Sequence, residues 1–236
     1  INRLPVKGWQ KQRSDQTFLA ARRSRESQSQ PLAYWRGLQN AMLAHPDDPA
    51  DVELNGVLNR LHPANPLLGG NTITTYTDGE EAYPAMLEAI RKAERHIHLQ
   101  SYIIGNDGVG RTFLDTLAER AREGLRVRVL YDEFGSAQAR LTGLFRRYRN
   151  IPNLQLVGFS QVNPIKRQFQ LNLRNHRKLL IVDGKHGFTG GMNLYNVHYP
   201  EDRDVPGIRD YHFAVEGPIV LELQYTFLRD WYYMTD

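Results

Sequence analysis

The 236-residue chain contains no cysteine. That absence excludes disulfides, thiolate nucleophiles, zinc–thiolate sites and iron–sulfur clusters together, and it leaves the redox compartment undecided. Long apolar runs are missing too: none approaches the ~18 residues of a membrane-spanning helix. The glycine-rich stretches contain neither G-x-x-x-x-G-K-[ST] nor G-x-G-x-x-G, so neither a nucleotide P-loop nor a Rossmann site is supported. No cluster of histidines and carboxylates has convincing metal-ligand spacing, and no metal is expected. The chain begins at Ile1 without an initiator Met and stops at Thr235-Asp236, directly after an apolar helical pattern. It therefore reads as a piece of something longer, whose targeting or anchoring segment would lie elsewhere.

Acidic residues are absent from one long segment. Between Arg140 and Lys178 stand nine basic residues (Arg140, Arg146, Arg147, Arg149, Lys166, Arg167, Arg174, Arg177, Lys178) and no Asp or Glu. Residues 1–36 carry a further net +6, which leaves −11 on the rest of a chain whose formal charge is only +4. Positive potential so concentrated favours an anionic ligand at one place, whereas a nucleic acid would call for a broad basic face. The remaining composition, 41% hydrophobic and 24% charged, is that of a globular domain.

The first 30 residues are polar, arginine-rich and without a sustained period, as in an arm. Helical patterns follow from Pro31 and from Asp51 to Leu61, and the Pro/Asn/Gly cluster at 62–71 marks a boundary. We expect an arm with a helical extension over residues 1–70 and a catalytic domain over 71–236. Within the latter, β-branched and alternating runs predict strands at 72–77, 96–104, 126–131, 154–159, 178–182, 187–189 and 211–215. Helical periods fall at 80–95, 111–123, 137–149 and 218–232. The β-α-β-α-β rhythm implies an α/β fold with a mixed, mainly parallel sheet flanked by helices.

One constellation carries chemistry. His176, Lys178, Asp183, Gly190, Gly191 and Asn193 form the pattern H-x-K-x4-D-x6-G-G-x-N, which this composition would produce by chance roughly once in 10⁵ trials. Side chains two apart on a strand share a face, so His176 and Lys178 can converge on one ligand. An imidazole is a nucleophile near neutral pH, and an ammonium stabilises charge building on a phosphoryl group. The glycines would let backbone approach phosphate, and the Asn193 amide could donate to a phosphate oxygen. Asp183 fits less simply. Seven extended residues place it about 23 Å from His176 and on the opposite face, so it is either a motif member or a turn residue ahead of Gly184. His96 and His98 alternate with apolar residues as an ordinary strand face does.

This pattern resembles the signature of the phospholipase D superfamily, from about Asn71 to the end of the chain. Ser101-Tyr102-Ile103, Val127-Arg128-Val129-Leu130-Tyr131-Asp132, Gly135-Ser136, Leu173 to Lys178 and Arg209-Asp210-Tyr211-His212 make it most like the first half of a bacterial cardiolipin synthase. The superfamily often has Ser at the position of Gly191, and Glu at that of Gln100; neither departure removes a reacting group. The resemblance implies a phospholipase D fold and phosphatidyl transfer through a phosphohistidine, without cofactor or metal. It implies His176, Lys178, Asp183 and Asp210 as catalytic residues, with Asp210 orienting the His176 ring. Gly190, Gly191, Asn193, Arg174 and Arg177 would bind substrate. The expected partners are an anionic phospholipid, a membrane surface in a bacterial cell, and a second motif half or second copy of the chain. A phosphodiesterase acting on phospholipid or nucleic acid as a homodimer is the alternative.

Overall fold

In the computed structural model the described residues are 52, 56–57, 69–159, 162–163, 168–169, 175–199 and 207–235. The expected arm and the helix at 31–42 lie outside them, and within the 51–61 pattern residues 52, 56 and 57 are helical. Strand β1 (Thr72–Tyr76) leads into α1 (Gly79–Arg91), β2 (His96–Ser101), α2 (Gly108–Arg122) and β3 (Arg126–Asp132). A short α3 (Ala137–Leu141) and a 3₁₀ turn (Leu144–Tyr148) precede β4 (Leu154–Phe159), and a ribbon of β5 (Val162–Asn163) and β6 (Gln168–Phe169) follows. The hairpin of β7 (Leu179–Val182) and β8 (His186–Gly190), a 3₁₀ turn (Asn196–His198), β9 (His212–Glu216) and α4 (Ile219–Thr235) complete the domain.

Local chemistry sets these boundaries. The Asp78 carboxylate caps α1 by accepting from Glu81 N–H, while the Glu81 carboxylate reaches back to accept from Thr77 N–H, one residue before the cap. Helix α1 ends at Arg91 rather than continuing to residue 95, because the N–H groups of Glu94, Arg95 and His96 turn to the Asp183 carboxylate. The helix expected over 137–149 is divided because Gly143 adopts a left-handed φ of 78° between α3 and the 3₁₀ turn.

The seven strands form one sheet in the order β1-β9-β8-β7-β2-β3-β4. Only β2–β3 and β3–β4 are parallel, and the other pairings are antiparallel. The α/β class and the mixed sheet are as expected, but the sheet is not mainly parallel. The β-α-β rhythm ends at β4; thereafter a tight turn joins β7 to β8, and consecutive strands joined that way must run antiparallel.

Period-two alternation distributes the core. Ile97, Leu99, Val127, Val129, Leu180 and Val182 pack with α1 and α2 on one face of the sheet. Leu130, Leu179, Ile181 and Val215 pack with Val220, Phe227 and Trp231 of α4 on the other. Strand β7 is buried along its whole length, so the motif segment enters the centre of the molecule on a rigid support.

Candidate active site

The residues before β7 are not yet strand: 175–178 are irregular, and Lys178 turns back so that Nζ donates to the His176 carbonyl at 2.8 Å. The His176 ring is exposed and stacks on Tyr102, with centroids 4.0 Å apart at 22°. The Lys178 ammonium lies 5.6 Å from the centre of that same Tyr102 ring, within cation–π range. Tyr102 is itself backed by the Gly135-Ser136 loop: the Ser136 hydroxyl donates to Tyr102 O at 3.3 Å, and a Cβ at residue 135 would overlap the Tyr102 carbonyl. Histidine and lysine thus converge as the spacing requires, but on an aromatic plate rather than on a flat strand. Burial lowers the Lys178 pKa, and the nearby Asp210 carboxylate partly offsets this.

Asp210 sits just before β9, with Oδ1 accepting from Tyr211 N–H at 2.7 Å. A Cβ on Gly191 would overlap its carboxylate, and one on Gly190 would collide with Tyr211 O and with His212. The two glycines therefore make room for Asp210 and His212. Among the described residues the His176 ring stacks on Tyr102 and makes no hydrogen bond to Asp210. Asn193 accepts from Ile103 N–H through Oδ1 at 3.1 Å, which leaves its NH₂ as the donating end, and its carbonyl accepts from the Tyr83 hydroxyl at 2.5 Å.

Two expected site residues lie elsewhere. Arg177 points to the opposite face, where Nη1 pairs with Asp230 of α4 at 2.8 Å. Asp183 stands in the β7–β8 turn with φ 55°, and its carboxylate accepts from the N–H groups of Glu94, Arg95 and His96 at 2.7, 2.8 and 2.9 Å. Burial alone would raise its pKa; these three donors outweigh that and lower it. The length of β7 separates Asp183 from His176, and the turn alternative is the one the structure realises. Arg174 lies outside the described residues.

Three participants escaped sequence reading. Tyr102 lay in a quoted segment but had no assigned role. His212 is 1% exposed, with neither ring nitrogen hydrogen-bonded to a described residue. Asp230, whose side chain is only 12% exposed, accepts through Oδ2 from Asn175 Nδ2 at 2.5 Å and Gln100 Nε2 at 3.0 Å, besides Arg177. Nothing local marks Asp230, because the contact spans more than fifty residues. Replacing Asp230 by Ala would strand the buried Asn175 and Gln100 amides, at ~1–3 kcal/mol for each buried group left unpaired. We expect a stability loss of roughly 2–4 kcal/mol in urea unfolding, together with faster amide exchange over residues 175–178. Unchanged exchange there would show that Asp230 does not hold the motif segment.

A mixed sheet that delivers an H-x-K segment against a facing Asp defines a phospholipase D-type α/β domain. The chain belongs to the family described as cardiolipin synthase, PLD-like domain, whose model matches residues 86–231. It is 38% identical to a cardiolipin synthase of Geobacillus kaustophilus over 159 residues, which is 67% of this chain and 31% of that protein. The chain thus spans about a third of the length of the curated relatives it matches. Two solved structures share the fold. The phospholipase D family member Nuc from Salmonella typhimurium aligns with a TM-score of 0.51 and 17% identity, over 69% of this chain and 95% of its own. The phosphatidylserine synthase of Haemophilus influenzae aligns with 0.53 and 18%, over 70% and 37%.

Proposed function

We propose that this chain is the nucleophile-bearing part of a phosphatidyltransferase that makes cardiolipin from phosphatidylglycerol. The observation that carries this reading is the exposed His176 imidazole held beside the Lys178 ammonium. A ring nitrogen of His176 attacks the phosphodiester phosphorus, and the P–O bond to the headgroup alcohol breaks. Lys178, with the Asn193 amide, takes the charge that builds on the phosphoryl oxygens. The ring turns from Tyr102 toward Asp210, whose carboxylate accepts its other N–H and fixes the tautomer. A headgroup hydroxyl of a second lipid then attacks the phosphorus and breaks the P–N bond, so that cardiolipin forms and glycerol has left. Water in that role would give a hydrolase.

The leaving alkoxide needs a proton. His212 is held neutral, its pKa depressed to about 4 by burial, and His198 is buried with Nδ1 engaged by Ile208 O. His212 therefore does not serve as an acid at neutral pH. The acid therefore comes from a second H-x-K motif, in a further half of the protein or in a second copy. The basic arm of residues 1–30 would lie against anionic lipid, where each basic residue contributes about 1 kcal/mol. Among the described residues no helix is long and apolar enough to cross a membrane.

Rapid quenching of the chain with phosphatidylglycerol, its second half supplied, should yield a phosphatidyl adduct that mass spectrometry places on His176. An adduct on another residue, or turnover of single-stranded DNA in place of lipid, would refute the proposal.

A further inference from the structure

Four arginines of the acid-free segment, Arg140, Arg146, Arg147 and Arg149, have no part in the site described above. All four are exposed, and among the described residues none of them pairs with an acid. The carboxylates around them are committed elsewhere: Asp107 accepts from Gly110 and Asn196 N–H, Asp115 from the Tyr148 hydroxyl, and Asp132 from Phe134 and Gly135 N–H, while Glu133 packs over Gly158. Apolar side chains are left wet in the same place. Leu141 is 80% exposed between Arg140 and the Gly143 turn, and Phe134, at the start of the same loop, is 65% exposed. Unneutralised cations beside exposed apolar groups are what an anionic lipid interface takes up together. We infer that the segment from Phe134 to Arg149 is a membrane-docking face, which lays Leu141 and Phe134 into the acyl boundary of an anionic bilayer, holds headgroup phosphates with Arg140 and Arg146, and so brings the His176 site down onto its lipid. The inference deepens the lipid reading of the site, from which it takes the choice of a lipid surface.

The face is fastened to the site at both ends of α3. Before it, Gly135 and Ser136 back Tyr102, on which the His176 ring stacks. After it, Thr142 Oγ1 accepts from Asn106 Nδ2 at 2.8 Å, and the Asn106 loop is tied to the motif segment by Gly105 N–H, which donates to Leu194 O at 2.8 Å. The Arg146 stem runs beside Gly143, so its charge stays close to Leu141. Across the site Ile208 and Tyr211, both exposed, flank Asp210. Apolar side chains thus rim the end of the sheet where β3 finishes and β7 begins, and the β7–β8 turn lies at the opposite end. A single-stranded nucleic acid would take the arginines and could stack on Phe134, but it gives Leu141 nothing to enter. A bilayer uses both: a leucine carried into the acyl boundary gains roughly tenfold in affinity, and each arginine at an anionic surface about fivefold.

Because the chain has no cysteine, Leu141→Cys can carry a single nitrobenzoxadiazole label, with Lys185→Cys in the β7–β8 turn as the control. Both positions are exposed, so neither change threatens the fold. The full chain is mixed with vesicles of phosphatidylglycerol and phosphatidylcholine that contain a lipid spin-labelled near the headgroup end of one acyl chain. The label at 141 should be quenched and the label at 185 should not. Adding Arg140→Gln and Arg146→Gln should weaken binding to these vesicles roughly 10- to 25-fold, and the difference should shrink in high salt. The basic arm contributes alike in every variant, so the local label decides. An unquenched label at 141, whether or not the vesicles bind, would overturn the inference, and so would a response of that label to single-stranded DNA but not to vesicles. Turnover of dihexanoyl phosphatidylglycerol dissolved as monomers, with the second half supplied, tests the chemistry separately. If it fails while the label at 141 is quenched, the docking face stands and the proposed transfer falls. If it proceeds while the label stays unquenched, the docking face alone falls.

Discussion

Lowering the pH from 7 to 4 is expected to destabilise the folded chain by roughly 3 kcal/mol through His212 alone, at ~1.4 kcal/mol per pH unit across the gap between ~6.5 in the unfolded chain and about 4 in the fold. The sign follows from proton counts. Between those values the unfolded imidazole binds a proton that the buried one refuses, so acid draws the equilibrium toward the unfolded state. The stability is fully present above the unfolded value, declines through the window, and loses nothing more once the folded value is passed. Burial chiefly sets the position of that window; among neighbouring groups Asp210 raises the pKa, and His198 and Lys178 lower it further. Asp183 acts in a separate window. Its lowered pKa gives a contribution that is complete above the ordinary aspartate value of ~3.9 and is lost only as the pH falls through the lowered one. Urea unfolding at pH 7, 5.5 and 4 should show a steeper loss in wild type than in His212→Phe. Parallel curves for the two proteins would remove His212 as the cause.

His176→Gln should abolish transfer, by about 10⁴-fold or more, because it removes the proposed nucleophile. Lys178→Met should cost ~10²–10³-fold, the usual consequence of removing one group that stabilises transition-state charge. Asp183 should behave oppositely, although it belongs to the same motif. Asp183→Ala deletes three charge-assisted hydrogen bonds and leaves a Cβ residue at φ 55°, for a stability loss of roughly 2–4 kcal/mol. Asp183→Asn keeps one oxygen for Arg95 and His96 and tolerates the left-handed conformation, so its loss should be nearer 1 kcal/mol. Measured below their melting temperatures and with the second half supplied, both Asp183 variants should turn over at the wild-type rate. A 100-fold rate loss in Asp183→Asn at unchanged stability would place that carboxylate in the chemistry after all.

The parallel pairings of β2 with β3 and of β3 with β4 were legible in the sequence as a β-α-β repeat, and the convergence of His176 with Lys178 as a spacing of two. The same arithmetic set Asp183 far from His176. What composition could not supply was the antiparallel half of the sheet, where β1 crosses the domain to pair with β9 and brings no helical crossover to announce it. Nor could it supply Asp230, whose carboxylate gathers Gln100, Asn175 and Arg177 from two distant segments, or the burial of His212 beside Lys178. Local spacing fixes which side chains share a face of one strand. Which donors a carboxylate meets, and whether an imidazole is wet or dry, depend on strands and helices far apart in the chain, and only their packing decides it.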